Sequence, residues 1–339
     1  YSKAFSKRRK PDANMNRLYA ATPMPTVTSA IADNRLPIRA SDIEPLARLI
    51  ANRVGVAGVN APGAVPQGLR QSWVDAVVTD LQANAGQSIV IAGSGQPPIV
   101  HALAAAINDK LGNTGKTVNY IDPVQANPTD MLADLRDLVA DMNAGKVSVL
   151  LILGGNPAYN APIDLPFGQA LANVNLSAHV SLYHDETSAL CKWQVPEAHF
   201  LEAWGDVRAF DGTASIIQPL IAPLYGGKSY IEILNNFADD PTKSGYDTVR
   251  DYWKGQANAA DFEAWWRKAV FQGIVPDTAS KPKPVTLRPG FAGAAAPSAP
   301  QPGIEIVFRL DPMVYDGRFA NNGWLQELPR PIHKLTWDN

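Results

Sequence analysis

Short apolar runs and amphipathic stretches of helical period alternate through the middle of the chain. The apolar runs have the length of strands, and each ends in a polar or glycine-rich turn. They lie at residues 88–92, 117–121, 147–153 and 179–183. Between them, residues 97–111 and 128–143 carry apolar side chains at helical spacing. This order of strands and helices is typical of a parallel sheet with right-handed crossovers. The pattern therefore predicts an α/β fold with a doubly wound, Rossmann-like parallel sheet flanked by helices.

Further helices are predicted on both sides of this sheet. Ser41 and Glu44 have the spacing of a capping box, and apolar residues at helical spacing follow them. The same period recurs in four other stretches, at residues 73–81, 230–237, 246–253 and 261–271. The last stretch contains Trp265 and Trp266, which are expected in a core or an interface.

The pattern divides the chain into four parts. Residues 1–40 are polar and interrupted by proline, and they are predicted to form an N-terminal extended arm that packs on the rest of an assembly. Residues 41–275 form the predicted Rossmann-like domain. Residues 276–303 read as a linker rich in Pro and Ala. Residues 304–339 are expected to begin a further, incomplete domain, and their apolar run at 304–310 predicts its first strand.

Charge and composition argue against several classes of function. The formal net charge of the 339 residues is -2, which gives no electrostatic case for nucleic-acid binding. The one basic cluster, at residues 7–10, is expected to be a solvated tail rather than a nucleic-acid or lipid contact. No apolar run approaches the roughly 20 residues of a membrane span, so no direct span is expected. The chain opens on Tyr1 rather than Met, and we expect it to be a piece of a longer protein.

Cysteine content limits the chemistry further. Cys191 is the only cysteine in the sequence. One thiol cannot form an internal disulfide, ligate an iron–sulfur cluster or build a Cys-rich zinc site. We expect Cys191 to pack as a small apolar residue rather than to act as a nucleophile, because no partner base is evident near it in sequence.

Two glycine turns follow predicted strands and are candidate ligand sites. Gly93 and Gly95 could form a phosphate-binding turn, but Pro98 stands where a dinucleotide fingerprint has its third glycine. A tight turn without a ligand is the alternative there. The second turn comprises Gly154, Gly155 and Asn156, where glycines permit close backbone approach and the amide can bind a ring or the local backbone. Residue types leave both interpretations of this turn open.

Acidic and imidazole side chains form two further candidates. His184, Asp185, Glu186 and Thr187 follow a predicted strand and could suggest a metal or acid–base site, or they could cap the next helix. His199 and Glu202 have the three-residue spacing of metal ligands on a helix, but a second His–carboxylate pair is missing from the sequence pattern. No metal site and no catalytic residue are therefore predicted for this chain.

Read together, these blocks resemble the molybdopterin oxidoreductase superfamily. The resemblance rests on residues 153–157, 180–187, 201–205 and 211–212, and on the terminal runs 315–329 and 334–339. In that superfamily the first two blocks line the groove for the guanine-dinucleotide ends of the pterin cofactor. The resemblance thus implies a groove lined by Gly154, Gly155, Asn156, His184, Asp185, Glu186 and Thr187. The terminal runs occur there near the start of a last, β-barrel-type domain.

A closer resemblance is to the family of B subunits of bacterial alternative complex III, and it lies at residues 15–19, 23–28 and 32–36. That family implies a molybdopterin-type portion without molybdenum, fused to an iron–sulfur portion, in a membrane quinol oxidase. Cys191 and Lys192 replace the Ala-Asp pair that is common in the superfamily, as expected of a degenerate groove. The active enzymes' metal ligand comes from an earlier domain that this chain does not represent.

The resemblance leads to a hypothesis and an alternative. The hypothesis is a non-catalytic, cofactor-free scaffold on the periplasmic face of the bacterial cytoplasmic membrane. Its expected partners are an iron–sulfur domain of the same parent chain, a multihaem cytochrome c and integral membrane quinol-binding subunits, so iron–sulfur clusters and haem c are expected in those partners. The alternative is the later domains of an active molybdopterin-dependent enzyme of polysulfide or formate type. A stand-alone nucleotide-binding protein that uses Gly93 and Gly95 is a third possibility.

Overall fold

The computed structural model describes residues 2–11, 15–60, 68–238, 240–293 and 303–337. The chain divides into two compact units, of which unit 1 comprises Tyr1–Tyr120 and Pro282–Asn339 and unit 2 comprises Ile121–Lys281. Residues 61–67, part of the predicted linker at 276–303 and parts of both termini lie outside the described residues. Both unit boundaries differ from those of the domain predicted over residues 41–275.

Unit 1 is mainly helical. Its elements are α1 (Ser2–Lys7), β1 (Tyr19–Thr22), α2 (Val27–Ala30), β2 (Asn34–Pro37), α3 (Ile43–Val54), α4 (Gln71–Ala83) and α5 (Pro98–Lys110), with a short helix at Gly323–Glu327. The apolar faces of α3, α4 and α5 pack together, since Leu46, Val74 and Leu103 are all buried in one core. Strands β1 and β2 pair in parallel, and Leu36 of β2 enters the same core. Residues 19–37 of the predicted arm thus pack on their own unit.

Unit 2 contains the parallel sheet. Its elements are α6 (Met131–Asn143), β3 (Val149–Leu153), α7 (Pro157–Asn160), α8 (Phe167–Leu171), β4 (Leu176–Ser181), α9 (Glu186–Leu190), β5 (Trp193–Pro196), β6 (Gly205–Arg208), β7 (Ala214–Ile217), α10 (Tyr230–Asn235), α11 (Gly245–Gln256) and α12 (Phe262–Gln272). The sheet order is β3-β4-β5, and both pairs are parallel. This confirms the predicted α/β class with a parallel sheet flanked by helices.

Two apolar clusters hold unit 2 together. Helices α6 and α8 pack on the sheet through buried Val139, Met142 and Phe167. The antiparallel hairpin β6–β7, which the sequence pattern does not predict, packs on α11 and α12. Trp253 and Trp266 are buried in this second cluster, as expected for tryptophans at helical spacing.

Three predicted strands do not form strands. Residues 88–92, 117–121 and 304–310 run without a β-ladder. Their apolar pattern indicates an extended backbone, but a strand also needs a neighbour that takes up its N–H and C=O groups. The predicted late strand is the most open of the three, because Ile304 is 97% and Phe308 93% exposed.

The capping box predicted at Ser41 is also wrong. The Ser41 hydroxyl donates to the carboxylate of Glu305, and Glu44 pairs with Arg48 one turn later at 2.8 Å. The helix itself is confirmed, since α3 begins at Ile43 after a single 3-10 turn. A contact made far along the chain therefore removes the cap that the local sequence suggests.

Candidate functional site

The carboxyl ends of the three parallel strands in unit 2 bring together three turns. Strand β3 leads into Gly154, Gly155 and Asn156, and β4 leads into residues 182–187. Strand β5 leads into Glu197. Because neighbouring parallel strands end at the same edge, their turns lie side by side, and ligands of open α/β sheets bind at this edge. We call the space between these turns the strand-end groove.

The first turn depends on its two glycines. Gly154 and Gly155 have φ values of +65° and +70°, in the left-handed region that side chains disfavour. The Gly154 N–H donates to the carbonyl of Val180 at 2.8 Å, which ties the turn to β4. A Cβ added at residue 154 would collide with the hydroxyl of Tyr230, whereas one at residue 155 would meet only Pro157 Cδ at 4.0 Å.

Asn156 joins the first turn to the second. Its amide nitrogen donates to Glu186 Oε2 at 2.7 Å. Its oxygen accepts from the backbone N–H of Thr187 at 3.2 Å and from the Thr187 hydroxyl at 2.8 Å. The bond from Asn156 lowers the pKa of the Glu186 carboxyl, because it favours the charged form. Local bonding by Asn156 and Glu186, the alternative to a ligand contact, is therefore what the structure contains.

The other residues of the second turn have separate places. Asp185 caps α9, and its carboxylate accepts from the backbone N–H of Ser188 at 2.9 Å. Thr187 is fully buried and accepts from the Ala158 N–H at 3.0 Å. His184 is exposed. The capping interpretation of this segment is thus confirmed, and its residues do not converge on one point.

His179 on β4 supports the first turn by contacting its backbone, a role that was not predicted from the sequence. It is fully buried, with Nε2 3.0 Å from the carbonyl oxygen of Gly155 and Nδ1 2.8 Å from the Ser188 hydroxyl. A carbonyl can only accept, so Nε2 carries a proton, while Nδ1 lies within hydrogen-bond distance of the Ser188 hydroxyl. A histidine within an apolar run was the available signal, since a buried imidazole needs partners on both nitrogens.

The third strand end is occupied by Tyr230, the first residue of α10. A capping box formed by Ser229 and Glu232 begins this helix. The Glu197 carboxylate lies near the Tyr230 hydroxyl. Burial raises the pKa of Tyr230 most, and the neighbouring carboxylate raises it further, since both disfavour the phenolate. No local sequence pattern links either residue to the groove.

The remaining candidate residues make local contacts. Glu202 accepts from the backbone N–H groups of His199 at 3.0 Å and Leu224 at 3.1 Å, so it braces a loop. The Gly93 turn is closed by the Gln96 N–H on the Gly93 carbonyl, and no strand precedes it. Cys191 packs against the sheet cluster, and burial raises the pKa of its thiol.

The described residues include neither a cluster of metal ligands nor a helix suited to crossing a membrane. Within the described ranges, no cluster of three or more His, Cys, Asp or Glu side chains is placed to hold a metal ion. Over the same residues, none of the helices combines the length and the apolar character that crossing a membrane requires.

Comparison with solved structures gives a match to acetylene hydratase from Pelobacter acetylenicus. The TM-score is 0.56 at 13% sequence identity, and the match covers 78% of this chain. The chain corresponds to 48% of the length of that enzyme. No protein-family model matches the sequence, and no curated protein matches it. The match establishes the fold, which agrees with the molybdopterin-oxidoreductase-like architecture that the sequence resemblance implies.

Proposed function

We propose that this chain is a non-catalytic, cofactor-free scaffold with a molybdopterin-oxidoreductase-like fold. Its place would be in a membrane-associated quinol:electron-acceptor oxidoreductase of the alternative complex III type. The observation that carries the proposal is the pairing within the strand-end groove. Asn156, which could recognise a ligand, instead donates from its amide nitrogen to Glu186 and accepts at its amide oxygen from Thr187.

A pterin guanine dinucleotide does not fit these residues as they stand. Hydrogen-bonding ligands need free donors and acceptors, and breaking an existing pair to bind one costs its bond. The oxygen and one N–H of the Asn156 amide are already paired, and the Tyr230 hydroxyl lies against Gly154, where a ligand could otherwise approach the backbone. We therefore assign the groove a structural role, which is to hold the ends of β3, β4 and β5 in fixed positions.

The partners in this proposal are those implied by the sequence resemblance. They are an iron–sulfur domain of the same parent chain, a multihaem cytochrome c and membrane subunits that bind quinol, at the periplasmic face of the cytoplasmic membrane. Large exposed apolar side chains support the proposal that the chain is part of an assembly. In unit 2, Phe200 is 61%, Leu220 77%, Leu224 69% and Tyr225 87% exposed.

Metal and cofactor analysis of the purified protein tests the proposal. We expect molybdenum and tungsten well below one atom per chain, and no fluorescent pterin after oxidative extraction. Stoichiometric metal together with extractable pterin would contradict the scaffold function. Recovery of the chain with haem- and cluster-bearing subunits from solubilised membranes would support its partners.

The alternative function is that of the later domains in an active molybdopterin-dependent oxidoreductase of polysulfide or formate type. The observation that favours it is the conformation of the first turn, where both glycines keep the positive φ values of a close-approach turn. This alternative expects a cluster-binding cysteine motif and a metal ligand in the parent gene upstream of Tyr1. Because the scaffold also has an iron–sulfur domain in its parent chain, it is the residue that ligates the metal that separates the two functions when that region is sequenced.

A further inference from the structure

We infer that Tyr230 closes the strand-end groove from within the chain, with its hydroxyl placed against Gly154. This inference rests on the proposed cofactor-free function and adds what fills the groove. Tyr230 acts as a positioning residue: it occupies the place where a polar group of a ligand would approach the first turn, and it fixes that turn. Three observations carry the inference.

The first observation is that the chain builds a dedicated support for Tyr230. The segment before α10 extends the parallel sheet by one bridge, in which the Lys228 N–H donates to Pro196 O and the Ala198 N–H to Lys228 O, both at 3.0 Å. A Cβ at Gly227 would lie 2.9 Å from the Glu197 carbonyl oxygen, so only glycine allows this approach. The start of α10 is thereby set beside the end of β5.

The second observation is the orientation of the side chain. The capping box at Ser229 fixes the first turn of α10, because Glu232 Oε2 accepts from both the backbone N–H and the hydroxyl of Ser229 at 3.0 Å. Tyr230 follows immediately, so its backbone position is set by this cap. The side chain therefore starts from a fixed position, from which the phenol reaches Gly154.

The third observation is the fit against Gly154. An added Cβ at this residue would overlap the Tyr230 hydroxyl and lie 3.4 Å from Tyr230 Cζ. The phenol thus fills the space above the glycine. Gly155 has nearly the same φ but only Pro157 Cδ near its missing Cβ. The two glycines therefore form a matched pair. A substitution at either position introduces similar backbone strain, but only Gly154 contacts Tyr230.

The test compares alanine at these two glycines by thermal unfolding of the full chain. Gly155→Ala introduces an L-residue at positive φ, and we expect Tm to fall by about 2–4 °C. Gly154→Ala adds the collision with Tyr230, and we expect about twice that fall. Equal falls for the two variants would overturn the inference.

A Tyr230→Phe background tests the contribution of the hydroxyl group. In a Tyr230→Phe chain the colliding oxygen is gone and the nearest ring carbon is at an ordinary contact distance, so Gly154→Ala should cost no more than Gly155→Ala. Hydrogen exchange supplies a readout besides global stability. Tyr230→Phe should speed exchange at the amides of Gly154–Asn156. An unchanged cost of Gly154→Ala in the Phe background, or unchanged exchange at these amides, would overturn the role of Tyr230.

These results are distinct from a failure of the proposed function. Stoichiometric pterin in the purified chain would contradict the scaffold and leave the contact between Gly154 and Tyr230 to be judged by the alanine comparison. Equal effects of the two glycine substitutions in a chain free of pterin would overturn the role of Tyr230 and leave the scaffold function standing.

Discussion

Two short apolar segments with the same local pattern adopt different structures in the two units. In unit 1, residues 88–92 lead into the turn at Gly93 and form no strand. In unit 2, β3 leads into the turn at Gly154 and pairs with β4 along its whole length. The difference shows that an alternating or continuous apolar pattern predicts an extended backbone, while the sheet itself depends on a partner strand.

Asparagine side chains take the place of a neighbouring strand in unit 1. Asn108 accepts from the Val90 N–H at 2.9 Å and donates to the Val90 carbonyl at 2.7 Å. Asn113, which is fully buried, donates to Asn108 at 3.1 Å and accepts from the Gly86 N–H at 3.0 Å. One residue of the segment is thus paired as it would be in a ladder. Such pairing depends on single side chains, so point mutations should remove it.

The largest effect is expected for Asn108→Leu. The change leaves both backbone groups of Val90 without their partners and removes one of the two acceptors of the Asn113 amide nitrogen, and we expect a loss of about 3–5 kcal/mol in the free energy of unfolding. Urea unfolding measures the loss, and hydrogen exchange should become fast at Val90 while the amides of β3 stay protected. Asn84→Leu, at an exposed helix end, is the control. A Val90 amide that stays protected would show that the segment is held by other contacts.

A smaller effect is expected for His179→Leu in unit 2. The Gly155 carbonyl loses its imidazole donor, and the Ser188 hydroxyl loses one neighbour but keeps Tyr183 and Ser181, which should cost about 2–3 kcal/mol. Because the β3–β4 ladder is independent of this side chain, faster exchange should be confined to the turn at 154–156. His179→Gln keeps a donor for Gly155 and should recover part of the stability. Faster exchange throughout the sheet would contradict the distinction between the units.

The bridge at Asn156 is expected to respond to charge. Asn156→Asp removes the amide donor that lowers the pKa of Glu186 and places a second carboxylate beside it. Both carboxyls are charged at neutral pH, so they should repel each other there. At pH 7 this variant should unfold at a lower temperature than Asn156→Ala, which removes the bonds without adding charge. The difference should vanish below about pH 4, where carboxyls protonate. Equal melting temperatures at pH 7 would mean that the two turns are not in contact in solution.

The smallest effect is expected for an ion pair of unit 1. Asp33 receives hydrogen bonds from Arg9 at 2.7 Å and from the Leu18 N–H, and these lower its pKa to about 2. A lowered folded pKa means that the stabilisation is present above about pH 4 and is lost as the pH falls toward 2. Asp33→Asn should therefore cost below about 1 kcal/mol at pH 7 and nothing at pH 2. A difference that is independent of pH would point to packing rather than charge.

Sequence reasoning succeeded where local periodicity decides the structure. Helices α3, α5 and α12 and strand β3 follow from the spacing of their apolar residues. The strand at 304–310 was predicted by the same reasoning and is wrong, because its backbone has no neighbouring strand. The hairpin β6–β7 was missed because its two strands are only four residues each.

The candidate site was predicted in part for a related reason. Asn156 and Glu186 stand in turns that the strand pattern locates, so their proximity could be inferred from the parallel order. Tyr230 reaches the same place from α10 through the bridge at Lys228. A contact of that kind depends on the path of the chain between β7 and α10, which no local pattern specifies.

The two neighbouring glycines of the first turn have a consequence for how such sequences can change over time. Gly155 is required only by its own backbone angle, so its constraint is local. Gly154 is constrained by its angle and also by Tyr230. In lineages derived from this chain, a side chain at position 154 should thus be accepted only after position 230 has become smaller. Position 155 should vary without regard to it, and the order of substitutions would then record which contact closed the groove.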